Sequence, residues 1–331
     1  VILGLATGNP RYRVTQLQAL QFTQRVGKLF NAAPILERLY SGSQIQRRYL
    51  AVSDYTPDEA APDDPPFYPA DGSFSVGMER RCEKFRECAL PLASEVGRRA
   101  MEEAGVRPQE VGLLVLVTTT GVGLPALDAD LSRRLGLPQD AERTLMAFMG
   151  CGAAVNGFRI AADYVVSHPG RNALLVTVEL PSLHCRHEDD VNDAILHAIF
   201  ADGCAAAVLS GVARSAAPPG ALAVAAAASC PMPDTADGIR LSLGPEGVGC
   251  RLSKHLPEYI RKHAPAVVED ALAPLGLTVA DVDFWAVHPG GHRIMEEAQA
   301  ALGLSEEQAR ESWRVLRDYG NMPSCTLLFV L

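Results

Sequence analysis

Two stretches of the chain are almost purely apolar and rich in Val, Leu and Ala. They cover residues 111–120 and 173–178. A strand with one face in water shows polar residues at every second position, whereas a strand buried on both faces reads as a continuous apolar run. Both stretches therefore predict central strands of a sheet that is covered by other elements on both sides.

Shorter strand and helix patterns surround these two stretches and alternate with each other. The further strands are predicted over residues 1–6, 143–148 and 204–210, and the helices up to about Tyr40 and over residues 78–104, 128–135, 152–167 and 193–199. Alternation of this kind is typical of an α/β layered architecture. Residues 52–75 are rich in Pro, Asp and Gly, and they predict an irregular surface excursion.

A segment rich in Ala, Pro and Gly at residues 216–228 marks the predicted junction between two halves. We place the halves at residues 1–215 and 216–331, since 331 residues suit two fused units. The predicted elements of the second half are helices over residues 256–275, 293–302 and 305–316, a strand at 284–289 and a strand-like end at 325–331.

Charge, hydropathy and cysteine spacing narrow the classes of function. The net charge of -9 disfavours sequence-independent nucleic-acid binding, which depends on neutralising phosphates. No apolar run approaches the roughly 18 residues that cross a bilayer, and the first residues lack the basic start of a signal peptide. The eight cysteines form no C-x-x-C pair, so we expect reduced thiols in a cytoplasm.

Cys151 is the first candidate for chemistry. It follows an apolar strand and a Met-Gly turn, and the next helix starts at the cysteine or just after it. Free backbone N–H groups and the positive end of the helix dipole favour a thiolate there, so we expect a lowered pKa and a nucleophilic sulfur. The alternative is a buried cysteine that fills a small gap.

Two residues of the second half complement this cysteine. His288 ends an apolar stretch before a Pro-Gly-Gly turn, a position where open α/β sheets place catalytic groups. The Asn321 side chain could complete an oxyanion site with His288. Taken singly, each is more simply a turn residue; together with Cys151 they form the layout of a condensing enzyme.

Two further patterns are better explained without a ligand site. A dense run of possible metal ligands comprises His184, Cys185, His187, Glu188, Asp189 and Asp190. A zinc site usually draws its ligands from more than one segment, so this run is better interpreted as a polar loop, and no metal is predicted. The glycines at 121–123 do not make a dinucleotide fingerprint.

Four local sequences occur in order along the chain: GCGAA around Cys151, FADGCAA at 200–206, VHPGG at 287–291 and YGNMPSC at 319–325. They closely resemble the chalcone synthase-like family, the type III polyketide synthases, and the resemblance runs from residue 1 to residue 331. It is closer to the bacterial and fungal branch that makes long-chain α-pyrones and resorcinols. The resemblance implies a thiolase-like α/β fold whose two βαβ-rich halves stack as α-β-α-β-α layers.

The resemblance also implies roles for particular residues. Cys151 would be the nucleophile that accepts the acyl group. His288 and Asn321 would activate it and bind the thioester carbonyl during malonyl decarboxylation. Phe200 matches the aromatic gatekeeper between the coenzyme A tunnel and the cavity, and the second gatekeeper of the family falls near Cys250.

The remaining correspondences concern the cavity, the partner subunit and coenzyme A. Thr119 and Thr120 match cavity-lining residues, as does Pro181, which replaces a small polar or thiol residue. Leu124 matches the residue that crosses the dimer interface, which implies a homodimer. Arg38 matches a basic residue that contacts the phosphates of coenzyme A.

The implied reaction loads an acyl-CoA starter on Cys151, extends it repeatedly with malonyl-CoA and cyclises it to an alkyl α-pyrone or resorcinol. It requires coenzyme A thioesters and no further cofactor. Two alternatives stay open: a ketoacyl-ACP synthase III-like enzyme that condenses once, and a non-catalytic partner of the same fold. Because the family normally ends with a Gly-Phe-Gly-Pro-Gly loop, we also expect further residues after Leu331.

Overall fold

The computed structural model describes residues 1–26, 33–69, 76–123, 125–186, 189–245 and 247–331. The strands are β1 (Ile2–Gly8), β2 (Tyr12–Thr15), β3 (Arg47–Leu50), β4 (Val111–Thr118), β5 (Glu142–Ala147), β6 (Asn172–Glu179), β7 (Gly203–Ser210), β8 (Ile239–Gly244) and β9 (Gly247–Leu252). The helices are α1 (Gln16–Val26), α2 (Ala33–Gly42), α3 (Met78–Ala104), α4 (Leu127–Leu135), α5 (Ala153–Ser167), α6 (Val191–Ile199), α7 (Leu256–Leu272), α8 (His292–Leu302), α9 (Glu306–Tyr319) and α10 (Thr326–Val330).

The first half is built on a mixed five-stranded sheet in the order β1-β7-β6-β4-β5. Strand β4 runs parallel to both β5 and β6, whereas β7 is antiparallel to β6 and to β1. Every residue of β4, β6 and β7 is buried. The predicted strands in the two apolar stretches are therefore confirmed, and the polar ends of β4 and β6 meet at one edge of the sheet.

Helices cover the sheet on both faces. Alternate residues of β4, such as Leu114 and Leu116, pack with residues of α3, while Leu113 and Val115 pack with residues of α5 on the opposite side. The continuous apolar pattern follows from this arrangement, because neither face of the central strands reaches water. The α/β class predicted from the alternation is thus confirmed.

Helix α3 lies unusually close to the edge strand β1. A Cβ atom on Gly4 would lie 2.3 Å from the carbonyl oxygen of Ala100 and 2.7 Å from the backbone nitrogen of Ala104. Only a residue without a side chain fits between the strand and this helix.

The predicted surface excursion at 52–75 is wrong for the part that the structure describes, residues 52–69. This segment does lack strands and long helices, but Tyr55 and Tyr68 are buried in the main core. The Asp54 carboxylate accepts hydrogen bonds of 2.9 Å from the backbone N–H groups of Phe67 and Tyr68, which folds the segment back on itself. The paired strands β2 and β3 were not anticipated either.

The second half departs from two sequence expectations. Residues 284–289 form no strand, and the N–H of Val287 donates to the Ser312 hydroxyl (3.0 Å) instead of to a neighbouring strand. The apolar end at 325–331 is helix α10, because a short apolar run cannot distinguish a buried helix from a buried strand. In the described part of the chain, no helix combines the length and apolar character needed to cross a membrane.

Candidate active site

His288 and Asn321 meet at the backbone of Gly290. The Asn321 Nδ2 donates to the Gly290 carbonyl oxygen at 3.0 Å, and a Cβ on Gly290 would lie 3.4 Å from the His288 Nε2. Both ring nitrogens of His288 and the Oδ1 of Asn321 are buried without a hydrogen-bond partner among the residues described. The site thus holds an imidazole and an amide whose hydrogen-bonding capacity is not used by the described residues.

The candidate gate residue and the asparagine are fixed by one stretch of backbone pairing. Phe200 and Asn321 form an isolated parallel bridge, with Asn321 N donating to Ile199 O (2.9 Å) and Ala201 N donating to Asn321 O (2.8 Å). Residues that are far apart in sequence are therefore held side by side, and Phe200 stands next to the His288–Asn321 pair.

Cys151 lies in the turn between β5 and α5, two residues before the helix begins. Burial, to which the negative charge of Glu179 and the Cys250 sulfur add, raises the pKa of the Cys151 thiol to about 12. The lowered pKa expected from the sequence is therefore wrong, because loss of hydration outweighs the pull of the helix end. Burial lowers the pKa of His288 to about 4, so thiol and imidazole are both neutral.

A buried carboxylate at the carboxyl end of β6 accepts several hydrogen bonds near Cys151. Glu179 accepts from the Thr119 hydroxyl at 3.0 Å, the Thr120 hydroxyl at 2.8 Å and the Ser324 hydroxyl at 2.6 Å. It also accepts from the backbone N–H of Thr119. These bonds tie the end of β4 to the loop before α10, and so connect the two halves of the chain.

The predicted cavity residues do line one cavity. Its volume is about 90 Å³, and its wall includes Phe200, Thr119, Thr120, Pro181 and Cys250. The five residues come from four separate segments, which the fold brings together. Cys151, His288 and Asn321 are not part of this wall, but Cys250 and Glu179, the carboxylate that both threonines bond, are close enough to Cys151 to raise its pKa.

Sequence reasoning missed several polar residues on the same wall. Arg48, His197 and Asp193 also line the cavity, and all three are buried. The signal was present in the alternation of β3, where Arg48 and Leu50 share the inward face and Arg47 points outward. An arginine at an inward position of a strand is rare enough to indicate a polar site.

The other predicted site residues lie away from the cavity wall, lie outside the described residues or have other hydrogen-bond partners. Arg38 is exposed on α2 and is not part of the cavity wall, and Leu124 lies outside the described residues. In the run of possible metal ligands, His187 and Glu188 are also outside them. Both ring nitrogens of His184 are already hydrogen-bonded and so do not face a metal. Nε2 bonds Thr120 O at 2.8 Å, and Nδ1 accepts from Val248 N at 3.2 Å.

Known proteins resemble this chain in both sequence and fold. An alpha-pyrone synthesis polyketide synthase-like protein, Pks18, of Mycobacterium tuberculosis is 39% identical over an alignment of 341 positions, which covers 100% of this chain and 82% of the relative. The crystal structure of PKS-I from the brown alga Ectocarpus siliculosus is 52% identical, with a TM-score of 0.96 over 100% of this chain and 87% of that one.

A more distant solved structure has the same fold. The C-terminal type III polyketide synthase domain of Steely1 from Dictyostelium is 25% identical, with a TM-score of 0.86 over 99% of this chain and 90% of that one. The thiolase-like α/β fold is thus confirmed. The family profiles of the chalcone and stilbene synthases match residues 1–213 with their N-terminal domain and 223–331 with their C-terminal domain. This chain therefore belongs to the chalcone and stilbene synthase family, the type III polyketide synthases.

Proposed function

We propose that this protein transfers an acyl group from coenzyme A to Cys151, extends it with malonyl-CoA and cyclises the product. One observation carries the proposal: the described cavity is lined by Phe200 and Cys250, the half-buried thiol of Cys151 is close to Cys250, and Phe200 adjoins an imidazole and an amide with unused hydrogen-bonding capacity. Within the family shown by the comparisons, these groups are sufficient for thioester chemistry.

The loading step needs a base for a thiol whose pKa is raised. The Cys151 sulfur attacks the carbonyl of the acyl-CoA thioester as its proton passes to His288, which is neutral and has both nitrogens unpaired among the residues described. The new C–S bond replaces the bond to coenzyme A, and the departing thiolate takes the proton from His288. Neutral reactants thus give neutral products, which suits a site with little access to water.

The condensation step uses the same two side chains for a different purpose. Malonyl-CoA loses CO2, and the electron pair of the broken C–C bond forms an enolate whose oxygen carries negative charge. Asn321 has a second N–H beyond the one that bonds Gly290, and His288 supplies a ring donor. Both stabilise this oxygen while the enolate carbon attacks the acyl group on Cys151 and expels its sulfur.

The product class is inferred from the family and from the named relative. Repeated extension gives a poly-β-keto chain, and its cyclisation gives an α-pyrone or a resorcinol. Because the 39% identical mycobacterial relative is named for alpha-pyrone synthesis, we propose an α-pyrone as the main product. Phe200 would control passage between the coenzyme A side and the cavity, and Arg38 would bind coenzyme A phosphates.

We also propose that the enzyme acts as a homodimer in the cytoplasm. Strand β5 is an edge of the sheet, and its neighbourhood exposes three large apolar side chains, Leu145, Phe148 and Met149, each at least 40% accessible. An exposed apolar edge strand is a natural site for a second copy. All eight cysteines are free thiols, which a reducing compartment maintains.

The test is product analysis with the purified protein. Malonyl-CoA and a panel of acyl-CoAs from acetyl to palmitoyl are incubated with the wild type and with Cys151→Ala, and products are identified by mass spectrometry. We expect starter-dependent pyrones or resorcinols from the wild type alone. A single-condensation product that requires a carrier-protein donor, or equal products from Cys151→Ala, would contradict the proposal.

A further inference from the structure

The inner wall of the cavity holds an arginine that the proposed mechanism does not use. Arg48 is only 2% exposed, and its Nη1 donates to the carbonyl oxygens of His197 (2.6 Å) and Phe200 (2.7 Å). Its Nε and Nη2 are buried as well, and neither has a hydrogen-bond partner within the described ranges. A buried guanidinium donor without an acceptor destabilises the fold. The two hydrogen bonds of Nη1 therefore do not explain why an arginine occupies this position.

The neighbouring carboxylates do not satisfy these two donors. The positive charge of Arg48 acts to lower the pKa of Asp202. The Asp202 carboxylate, however, accepts hydrogen bonds from Ala51 N at 2.7 Å and from Ser182 N at 2.9 Å. Asp193 is bonded to His197 Nε2 at 3.0 Å. The acceptor for the spare donors of Arg48 is therefore expected inside the cavity.

The surroundings of Arg48 in the cavity are rich in hydrogen-bond donors. Burial opposes an imidazolium at His197, but the Cys185 sulfur and the Asp193 carboxylate outweigh it and raise its pKa. Arg186 lines the same cavity. The positive charge of Arg186 and Arg48 on the cavity wall favours a ligand oxygen over an alkyl group.

The size of the cavity limits the group that can reach this wall. Its volume of about 90 Å³ is smaller than the roughly 150 Å³ of a cavity that binds one benzene molecule. This wall therefore favours a short acyl group over a long alkyl chain. An alkyl chain would also leave the Arg48 donors unsatisfied.

We infer that Arg48 is a specificity-determining residue, which binds a hydrogen-bond-accepting oxygen at the far end of a short acyl chain held on Cys151. The inference rests on the proposed function, since it concerns the substrate of the same site. The oxygen has two possible sources with the same chemistry: a keto group of the growing chain, or the terminal carboxylate of a dicarboxylic starter. Arg48 binds this oxygen and takes no part in bond making.

The first experiment compares starters of equal length on the wild-type enzyme. Acetoacetyl-CoA is compared with butyryl-CoA for the keto source, and glutaryl-CoA with pentanoyl-CoA for the carboxylate source, by kcat/KM at saturating malonyl-CoA. We expect about tenfold or greater preference for the oxygenated member of at least one pair, since a site built to bind an oxygen rejects the analogue without it. The preferred pair identifies the source.

The second experiment assigns that preference to Arg48. Arg48→Met should reduce the preference towards one, chiefly through KM for the oxygenated starter, and Arg48→Lys should retain part of it. Arg47→Met is the matched control, since Arg47 points outward and pairs with Asp318 at 3.0 Å. It should keep the full preference.

The outcomes separate the two claims. Condensation without any oxygen preference in the wild type, or an unchanged preference in Arg48→Met, contradicts this inference and leaves the proposed function standing. No condensation with any starter contradicts the proposed function itself. If Arg48→Met does not fold, the wild-type comparison and Arg48→Lys still test the inference. A Lys variant with the full wild-type preference would show that the guanidinium is not the group that recognises the oxygen.

Discussion

At the scale of single residues, the proposed chemistry depends on a proton transfer between two neutral groups. The pKa of Cys151 is raised to about 12 and that of His288 is lowered to about 4, both mainly by burial. A thiolate–imidazolium pair preformed in the free enzyme is therefore disfavoured. In the proposed reaction, the thiolate forms when the substrate arrives, as part of the attack.

The reactivity of Cys151 towards a small alkylating agent should reflect this state. We expect the rate of iodoacetamide labelling at Cys151 to rise about tenfold per pH unit between pH 7 and 9, because the thiolate fraction is small throughout this range. Peptide mass spectrometry after timed quenching measures the rate at this cysteine alone. A rate that is constant above pH 6 would show a preformed ion pair instead.

A charge variant provides the control for this measurement. Glu179→Gln removes a negative charge that raises the pKa of Cys151, so labelling should become faster at pH 8. Glu110→Gln, which changes an exposed side chain paired with Arg107, should leave the rate unchanged.

His184 should make the fold sensitive to acid. Its Nδ1 accepts from a backbone N–H and burial lowers its pKa to about 4, so the folded protein resists protonation that the unfolded chain accepts below about pH 6.5. This contribution to stability is complete above pH 6.5 and is lost as the pH falls towards 4. Urea denaturation measures the effect. Between pH 7 and 4.5, the free energy of unfolding should fall by about 2 kcal/mol more in the wild type than in His184→Gln.

Gln is the informative replacement because its amide can donate to Thr120 O and accept from Val248 N, as the neutral imidazole does. The exposed His255→Gln provides the comparison, and it should retain the acid sensitivity of the wild type. Equal losses in all three proteins would mean that His184 is not the group responsible.

At the scale of elements, hydrophobic pattern predicted whatever is buried by regular packing. Strands β4 and β6 are continuous apolar runs, and α3 and α5 begin and end within about a residue of their predicted bounds. Two of the segments that failed, residues 52–69 and 284–289, form backbone hydrogen bonds with side chains and not with neighbouring strands. Val287 bonds the Ser312 hydroxyl, and the bonds of Asp54 to Phe67 and Tyr68 depend on side-chain geometry that no periodicity encodes.

The contact between β1 and α3 offers a direct test of the packing. Gly4→Ala places a methyl group 2.3 Å from the Ala100 carbonyl oxygen, so the helix must move away from the sheet. We expect a loss of about 3 kcal/mol or more in the free energy of unfolding. Gly42→Ala is the matched control, since its Cβ would have no neighbour within 4 Å, and it should change stability by less than about 0.5 kcal/mol. Similar effects of both substitutions would contradict the packing described.

At the scale of the whole molecule, the candidate site combines residues that are far apart in sequence. Ser324 bonds Glu179 across 145 residues of sequence, and Asn321 pairs with the backbone beside Phe200. Local sequence around Cys151, His288 and Asn321 could nominate the catalytic candidates, because each occupies a recognisable turn. For Arg48 the local sequence could indicate only an inward-facing arginine, because its hydrogen-bond partners are distant carbonyl groups of α6 and of the residue that follows it. The division of the chain near residue 215 stays a prediction.

The proposed dimer makes a prediction about the exposed edge strand. Leu145→Lys introduces a charge into the apolar surface of β5, so we expect a monomeric mass by light scattering coupled to gel filtration. Leu17→Lys is the control, because Leu17 is 63% exposed on α1, away from this edge, and should leave the dimer intact. A dimeric Leu145→Lys protein would place the interface elsewhere.

The central claim is that Cys151 carries the growing chain, and acyl transfer to this sulfur tests it most directly. The protein is mixed with an acyl-CoA in the absence of malonyl-CoA, quenched in acid and digested, and each cysteine-containing peptide is weighed. We predict one acyl group on Cys151, much slower transfer in His288→Gln, and wild-type labelling in Cys250→Ser, since Cys250 only lines the cavity. Acylation at Cys185 or Cys250 with Cys151 unmodified would contradict the account.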